Sequence, residues 1–193
     1  MDKKFTEEDI KKALEQAEAN MSFEDVEIPT LENEKAKGYE IGKSLLDIES
    51  VDFCTEMLSK YKDKIYLPVD SIVSKEIDKD INVKLSEEFD VDDIGFDIGP
   101  KTIEKYNEIL DKCNTIVWNG PVGMFENDNY SKGTKEILIK LSTLNKTVII
   151  GGGDTASAAI NFGYSNLFTH ISTGGGASLE FLEGKKLEEL LNK

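Results

Sequence analysis

Positive charge is what this chain has little of. Its 193 residues hold 23 basic side chains against 38 acidic ones, a net charge of −15. Such a surface repels nucleic acid and anionic membranes, so neither is expected as a partner. A nucleotide stays within reach, because glycine-turn amides and a bound Mg²⁺ hold phosphates locally. Cysteine is equally scarce. Cys54 and Cys113 stand alone, without metal-site spacing, and read as reduced thiols of a cytosolic protein. No apolar run approaches membrane-spanning length, and the N-terminus lacks the apolar core of a signal peptide. The one histidine, His170, has no carboxylate or serine at triad spacing and reads as structural, on a strand. Internal repeats and low-complexity tracts are missing too.

What is present suits one or two small domains with a real core: 39% of the residues are apolar. Residues 1–34 look different from the rest. Thr6 begins a helix with acids in its first turn, and Ile10, Ala13, Leu14 and Ala17 recur at helical spacing. The stretch Gly38-Tyr39-Glu40-Ile41-Gly42-Lys43-Ser44 mimics a phosphate-binding P-loop. It is one residue short between its glycines and follows no strand, so a short helix over residues 39–46 is expected instead. The pattern then predicts a helix over residues 51–61, a strand at 65–67 broken by Pro68, and extended chain at 71–74. Acidic edge strands and turns follow over 78–93, then a turn over 94–100 and a helix over 101–112 with Thr102 near its start.

The chain is organised around residues 114–178. Apolar runs lead into Asn119-Gly120-Pro121-Val122-Gly123-Met124-Phe125-Glu126 and into Gly151-Gly152-Gly153-Asp154-Thr155. The stretch His170-Ile171-Ser172-Thr173, which is not an apolar run, leads into Gly174-Gly175-Gly176-Ala177-Ser178. Each reads as a buried strand, a turn with open backbone N–H groups, and a helix start, the means by which α/β proteins bind phosphate. Helices are expected over 131–144, 156–162 and 179–182. Strands alternating with helices predict a mainly parallel sheet, covered on both faces. Glu126 reads as a ribose acceptor or as a first-turn acid complementing a helix dipole. Met124 and Phe125 read as an adenine wall or as core. Asp154 reads as an N-cap or a Mg²⁺ ligand, and Thr155 offers a hydroxyl and an amide to phosphate. The Gly174–Gly176 amides suit a transferring phosphoryl group.

These three motifs, in this order and spacing, resemble phosphoglycerate kinase. So do residues 37–45, Leu67-Pro68-Val69-Asp70 and Asp97-Ile98-Gly99-Pro100-Lys101-Thr102. The resemblance covers about residues 35–186 and implies a three-layer, Rossmann-like α/β nucleotide domain. It implies phosphoryl transfer between ATP with 3-phosphoglycerate and ADP with 1,3-bisphosphoglycerate, with Mg²⁺ accompanying the nucleotide. By the same resemblance Asn119 contacts phosphate, and Pro121 and Met124 line the base pocket opposite Gly95 and Phe96. Glu126 holds ribose, Gly151, Gly152, Gly153 and Thr155 hold phosphate, and Asp154 coordinates Mg²⁺. Gly174, Gly175 and Gly176 stabilise the transferring group.

The family's phosphoglycerate-binding domain and the first part of its nucleotide domain have no counterpart here. Residues 35–193 are therefore expected to be an incomplete nucleotide-binding domain behind a helical leader, residues 1–34. On that basis 3-phosphoglycerate binds only if the missing domain is supplied. Two alternatives stand beside an active kinase half. One is a catalytically inactive nucleotide-binding remnant. The other is an antitoxin-like, partner-binding N-terminal helix with a passenger domain, because Asn20 stands four residues before Glu24-Asp25, a partial likeness to helices that inhibit AMP-transferring Fic enzymes.

Overall fold

A computed structural model of the chain describes residue 38 and residues 40–172. The expected leader helix, the antitoxin-like stretch and the turn at Gly174–Gly176 lie outside them. The described residues fall into two compact units: 38, 40–111 and 121–140 in one, 112–120 and 141–172 in the other.

The first unit contains helix α1 (Val51–Tyr61), strands β1 (Asp70–Ser74), β2 (Asn82–Leu85) and β3 (Ile94–Ile98), and helix α2 (Pro100–Leu110). It also holds all but the last turn of α3 (Lys132–Thr143). Its sheet has the order β2-β1-β3, antiparallel throughout. The central strand β1 is buried along almost its whole length, while β2 exposes Asn82 and Val83 at the edge. Asp78 and Asp80, in the β1–β2 connection, adopt left-handed backbone with φ of 63° and 51°. Aspartate tolerates that region better than most side chains. The core gathers Val73, Ile98, Ile103, Tyr106, Phe125, Tyr130 and Leu138.

Helix α2 starts at Pro100 after Gly99, a cap residue with no side chain. Its cap comes from 30 residues earlier. The Asp70 carboxylate, 1% exposed, accepts the N–H groups of Lys101 at 3.0 Å and Thr102 at 2.7 Å. Thr102 Oγ1 answers, lying 2.7 Å from Asp70 Oδ1 and accepting the N–H groups of Val69 and Asp70 at 3.0 Å each. A Cβ at Gly99 would sit 2.3 Å from the Asp70 carboxyl carbon, so only glycine admits this close cap.

Several local expectations change here. Residues 40–47 form turns and extended chain rather than a helix. Gly42-Lys43-Ser44 clips onto the entry to β3: Lys43 N–H donates to the Asp93 carbonyl at 2.8 Å, and Ser44 Oγ accepts the Gly95 N–H at 2.9 Å. A Cβ on Gly42, where φ is +58°, would meet the Asp93 carbonyl oxygen at 2.1 Å. The glycine therefore serves chain packing. Residues 65–67 are not a strand, because Pro68 interrupts just before the pairing partners begin. Residues 94–98, expected as a turn, are β3. Gly95 and Gly99 suggested a turn, but ladder pairing to β1 outweighs local propensity.

The second unit matches expectation, except that β6 is only half-buried. Strands β4 (Thr115–Asn119), β5 (Thr147–Gly151) and β6 (His170–Ser172) form a parallel sheet in that order, and helix α4 (Gly153–Asn161) packs on β5 and β6. Central β5 is a continuous buried run, Val148-Ile149-Ile150, as a strand covered on both faces requires. Ala156, Ala158 and Ala159 give α4 a flat buried face. The architecture is α/β with a parallel sheet, and the first unit adds an antiparallel one. Among the described residues no helix is long and apolar enough to cross a membrane.

Candidate functional site

In the second unit the parallel register sets three strand ends level. Asn119 pairs with Gly151, and Gly151 with Ser172. Ligands of α/β sheets bind beyond the carboxyl ends of such strands. The turn after β5 passes through Gly152, with φ of 90° and ψ of 144°, and runs straight into α4. The first helical hydrogen bond is donated by Ala156 N–H to the Gly152 carbonyl at 3.0 Å. The amides of Gly153, Asp154 and Thr155 are thus the N-terminal donors of α4, at its positive end.

Gly152 and Gly120 each have a reason here. A Cβ on Gly152 would lie 2.5 Å from Asn119 Oδ1, so the exposed Asn119 side chain occupies the space that glycine leaves open. Gly120, with φ of 106°, donates its N–H to Thr155 Oγ1 at 2.7 Å. Thr155 is fully buried. Its hydroxyl therefore locks the turn after β4 to the turn after β5, a role that spacing alone does not reveal. Asp154 is exposed in the first turn of α4, while the cap position belongs to Gly152 and no side chain caps the helix. Of the two readings for Asp154, the N-cap is excluded.

In the first unit, residues 121–126 wrap against β3. Val122 and Phe125 are buried; Met124 and Glu126 are exposed. Phe125 is therefore core and Met124 is not. Glu126 belongs to a turn, since α3 begins only at Lys132, so it complements no helix dipole. A bulge in β3 supplies the anchor: Ile72 pairs with Asp97 and Val73 with Gly95, leaving Phe96 over. The Phe96 carbonyl accepts the Met124 N–H at 2.8 Å, and its ring stacks on Tyr130 with centroids 4.6 Å apart. Tyr130 is fully buried, and its hydroxyl accepts the Asp78 N–H at 2.7 Å.

Asp97, 6% exposed, sits beside this loop. Its Oδ2 accepts the Gly133 N–H at 2.7 Å and its Oδ1 the Ile98 N–H at 2.8 Å. Burial pushes its pKa up to about 7, against the pull of those donors. Burial also lowers the pKa of His170.

The expected site residues thus gather in two groups. Asn119, Gly151, Gly152, Gly153, Asp154 and Thr155 share the second unit, and Gly95, Phe96, Pro121, Met124 and Glu126 share the first. Asp70, Thr102 and Asp97 were missed as organising residues. Apart from the placing of Thr102 near the start of α2, their signal is membership of the Leu-Pro-Val-Asp and Asp-Ile-Gly-Pro-Lys-Thr segments. Among the described residues no three His, Cys, Asp or Glu side chains gather as a metal cage.

Comparison with known proteins follows these segments. The family model described as phosphoglycerate kinase matches residues 32–185. Phosphoglycerate kinases of Staphylococcus aureus, strains JH9 and Newman, are 50% identical over 156 residues, covering 79% of this chain and 39% of theirs. The structure of phosphoglycerate kinase from Coxiella burnetii matches with a TM-score of 0.77 at 38% identity, over 83% of this chain and 44% of that one. That from Pyrococcus horikoshii OT3 matches with a TM-score of 0.74 at 28% identity, over 98% of this chain and 49% of that one. The chain therefore spans about two fifths of the length of the curated relatives it matches.

Proposed function

Since the chain belongs to the phosphoglycerate kinase family, we propose that it forms the nucleotide-binding part of a cytoplasmic phosphotransferase. The reaction is exchange of a phosphoryl group between ATP with 3-phosphoglycerate and ADP with 1,3-bisphosphoglycerate. The observation that carries this reading is the level register of Asn119, Gly151 and Ser172, with the positive end of α4 opening directly after Gly152. Asn119 and the amides of residues 151–155 take the phosphates. Thr155 acts through its amide and through the lock its hydroxyl makes with Gly120. Pro121 and Met124, with Gly95 and Phe96, take the base, and Glu126 takes ribose hydroxyls. Gly174, Gly175 and Gly176 follow β6 in the chain and donate to the transferring group.

Mg²⁺ brought with ATP or ADP suits Asp154, an exposed carboxylate with no capping duty. This ion typically takes one or two carboxylates plus substrate phosphates, so no multi-residue cage is needed. Bound with the nucleotide, it neutralises charge on the phosphate oxygens. The chain's own contribution is to fix the phosphates on rigid backbone donors, which need no reorganisation as charge shifts.

A second reading is a nucleotide binder without turnover, which the same strand-end amides and exposed Asp154 would serve. A coupled assay separates the two. ATP formation from 1,3-bisphosphoglycerate and Mg·ADP, abolished by Asp154→Ala, is the expected result for the phosphotransferase. Saturable Mg·ADP binding with no ATP formed would leave only the binder.

A further inference from the structure

Resting on that nucleotide reading, we propose that Asp97 is a positioning residue for the nucleoside end of the nucleotide. Its buried carboxylate holds residues 121–126 in the one form that carries Met124 and Glu126 exposed on a rigid base.

Three successive loop residues are fixed from three sides. The Val122 carbonyl accepts a hydrogen bond from Thr134 Oγ1. Gly123 lies against Asp97 so closely that a Cβ there would fall 2.3 Å from Oδ1. Met124 N–H reaches the Phe96 carbonyl, one residue before Asp97. The carboxylate also seats the start of α3, where a Cβ on Gly133 would lie 2.2 Å from the same oxygen. Gly123, with φ of 70°, can follow this path because it has no side chain. One group is thereby wedged between two glycines of separate segments, with both oxygens committed to N–H donors. Burying a carboxyl costs enough that it is sustained only where such partners are built for it. Asp97 is itself buried and acts through the loop.

The test uses the full 193-residue chain and separates the two ends of the nucleotide. Mg·ADP, adenosine and Mg·tripolyphosphate are each titrated against wild type, Asp97→Asn and Gly123→Ala, with folding checked by Trp118 emission. Loss of ADP and adenosine affinity by about tenfold, with tripolyphosphate affinity within about twofold, is expected from both variants. Equal affinities for all three ligands, or equal losses in all three, would overturn the positioning role. In the unmutated protein, amide exchange at Gly133 and Ile98 should slow about tenfold with saturating adenosine and stay unchanged with tripolyphosphate. No such difference would overturn the proposal even if both variants failed to fold. Wild type that binds none of the three would instead sink the nucleotide reading beneath it.

Discussion

Thr155 shows how far a side chain's duty can sit from what its position suggests. Beside a triple glycine its hydroxyl reads as a phosphate donor, yet it is buried and accepts the Gly120 N–H. Thr155→Val should leave that amide unsatisfied and lower unfolding free energy by about 1–3 kcal/mol. Urea denaturation checks this; an unchanged midpoint would contradict the lock. Asp97 carries a pH signature. Its folded pKa of about 7 lies above the ordinary 3.8, so its stabilising contribution is full below about pH 4 and is lost as pH rises through about 7. The stability of wild type minus that of Asp97→Asn should therefore fall by at least about 1 kcal/mol between pH 5 and pH 8. A flat difference would show that the carboxyl titrates normally. At this scale the sequence revealed residue types and little of their partners. Asp154 and Glu126 each carried two readings, and only backbone position removed one from each. The Gly120 amide lies 35 residues from Thr155, a pairing that no local pattern encodes.

Elements were legible where periodicity and burial agree. β4, β5 and β6 appeared at nearly their observed bounds, β5 most plainly, because a parallel strand buried on both faces is a continuous apolar run between turns. Helices α1 and α3 followed from apolar spacing, and α2 and α4 from the glycine turns before them. The antiparallel sheet was less legible. Gly95 in β3, and the proline just before β1, suggest turns, and only pairing across β1 makes strands of these segments. The start of α2 is the sharpest case, since Gly99 offers no cap and Asp70 supplies one from β1. Asp70→Ala should strip the Lys101 and Thr102 amides of their acceptor and cost about 2 kcal/mol or more. The loss should appear in urea melts and as faster amide exchange in the first turn of α2. Unaltered exchange there would mean that the helix start is held by other contacts.

For the molecule as a whole, the acidic balance constrains how phosphate can be held. All 23 basic side chains are lysine; the sequence contains no arginine. The proposed phosphate site therefore relies on backbone amides, Asn119 and a metal ion, without guanidinium forks. This also explains why the family was legible so early. Glycine turns at strand ends are sequence-local, so they can be read without the rest of the fold. The packing that gives the turns their shape is not local, and the packing roles of Asp97, Thr155 and Asp70 emerge only in the fold. The central claim is that Asp154 and the α4 start hold the phosphates of a magnesium-bound nucleotide. Calorimetric titration of the purified chain with Mg·ADP tests it most directly. The account predicts saturable binding, weakened about tenfold or more by Asp154→Ala with the melting temperature unchanged, because that carboxylate is exposed and caps nothing. Folded protein that gives no heat, or binding that Asp154→Ala leaves intact, would contradict it.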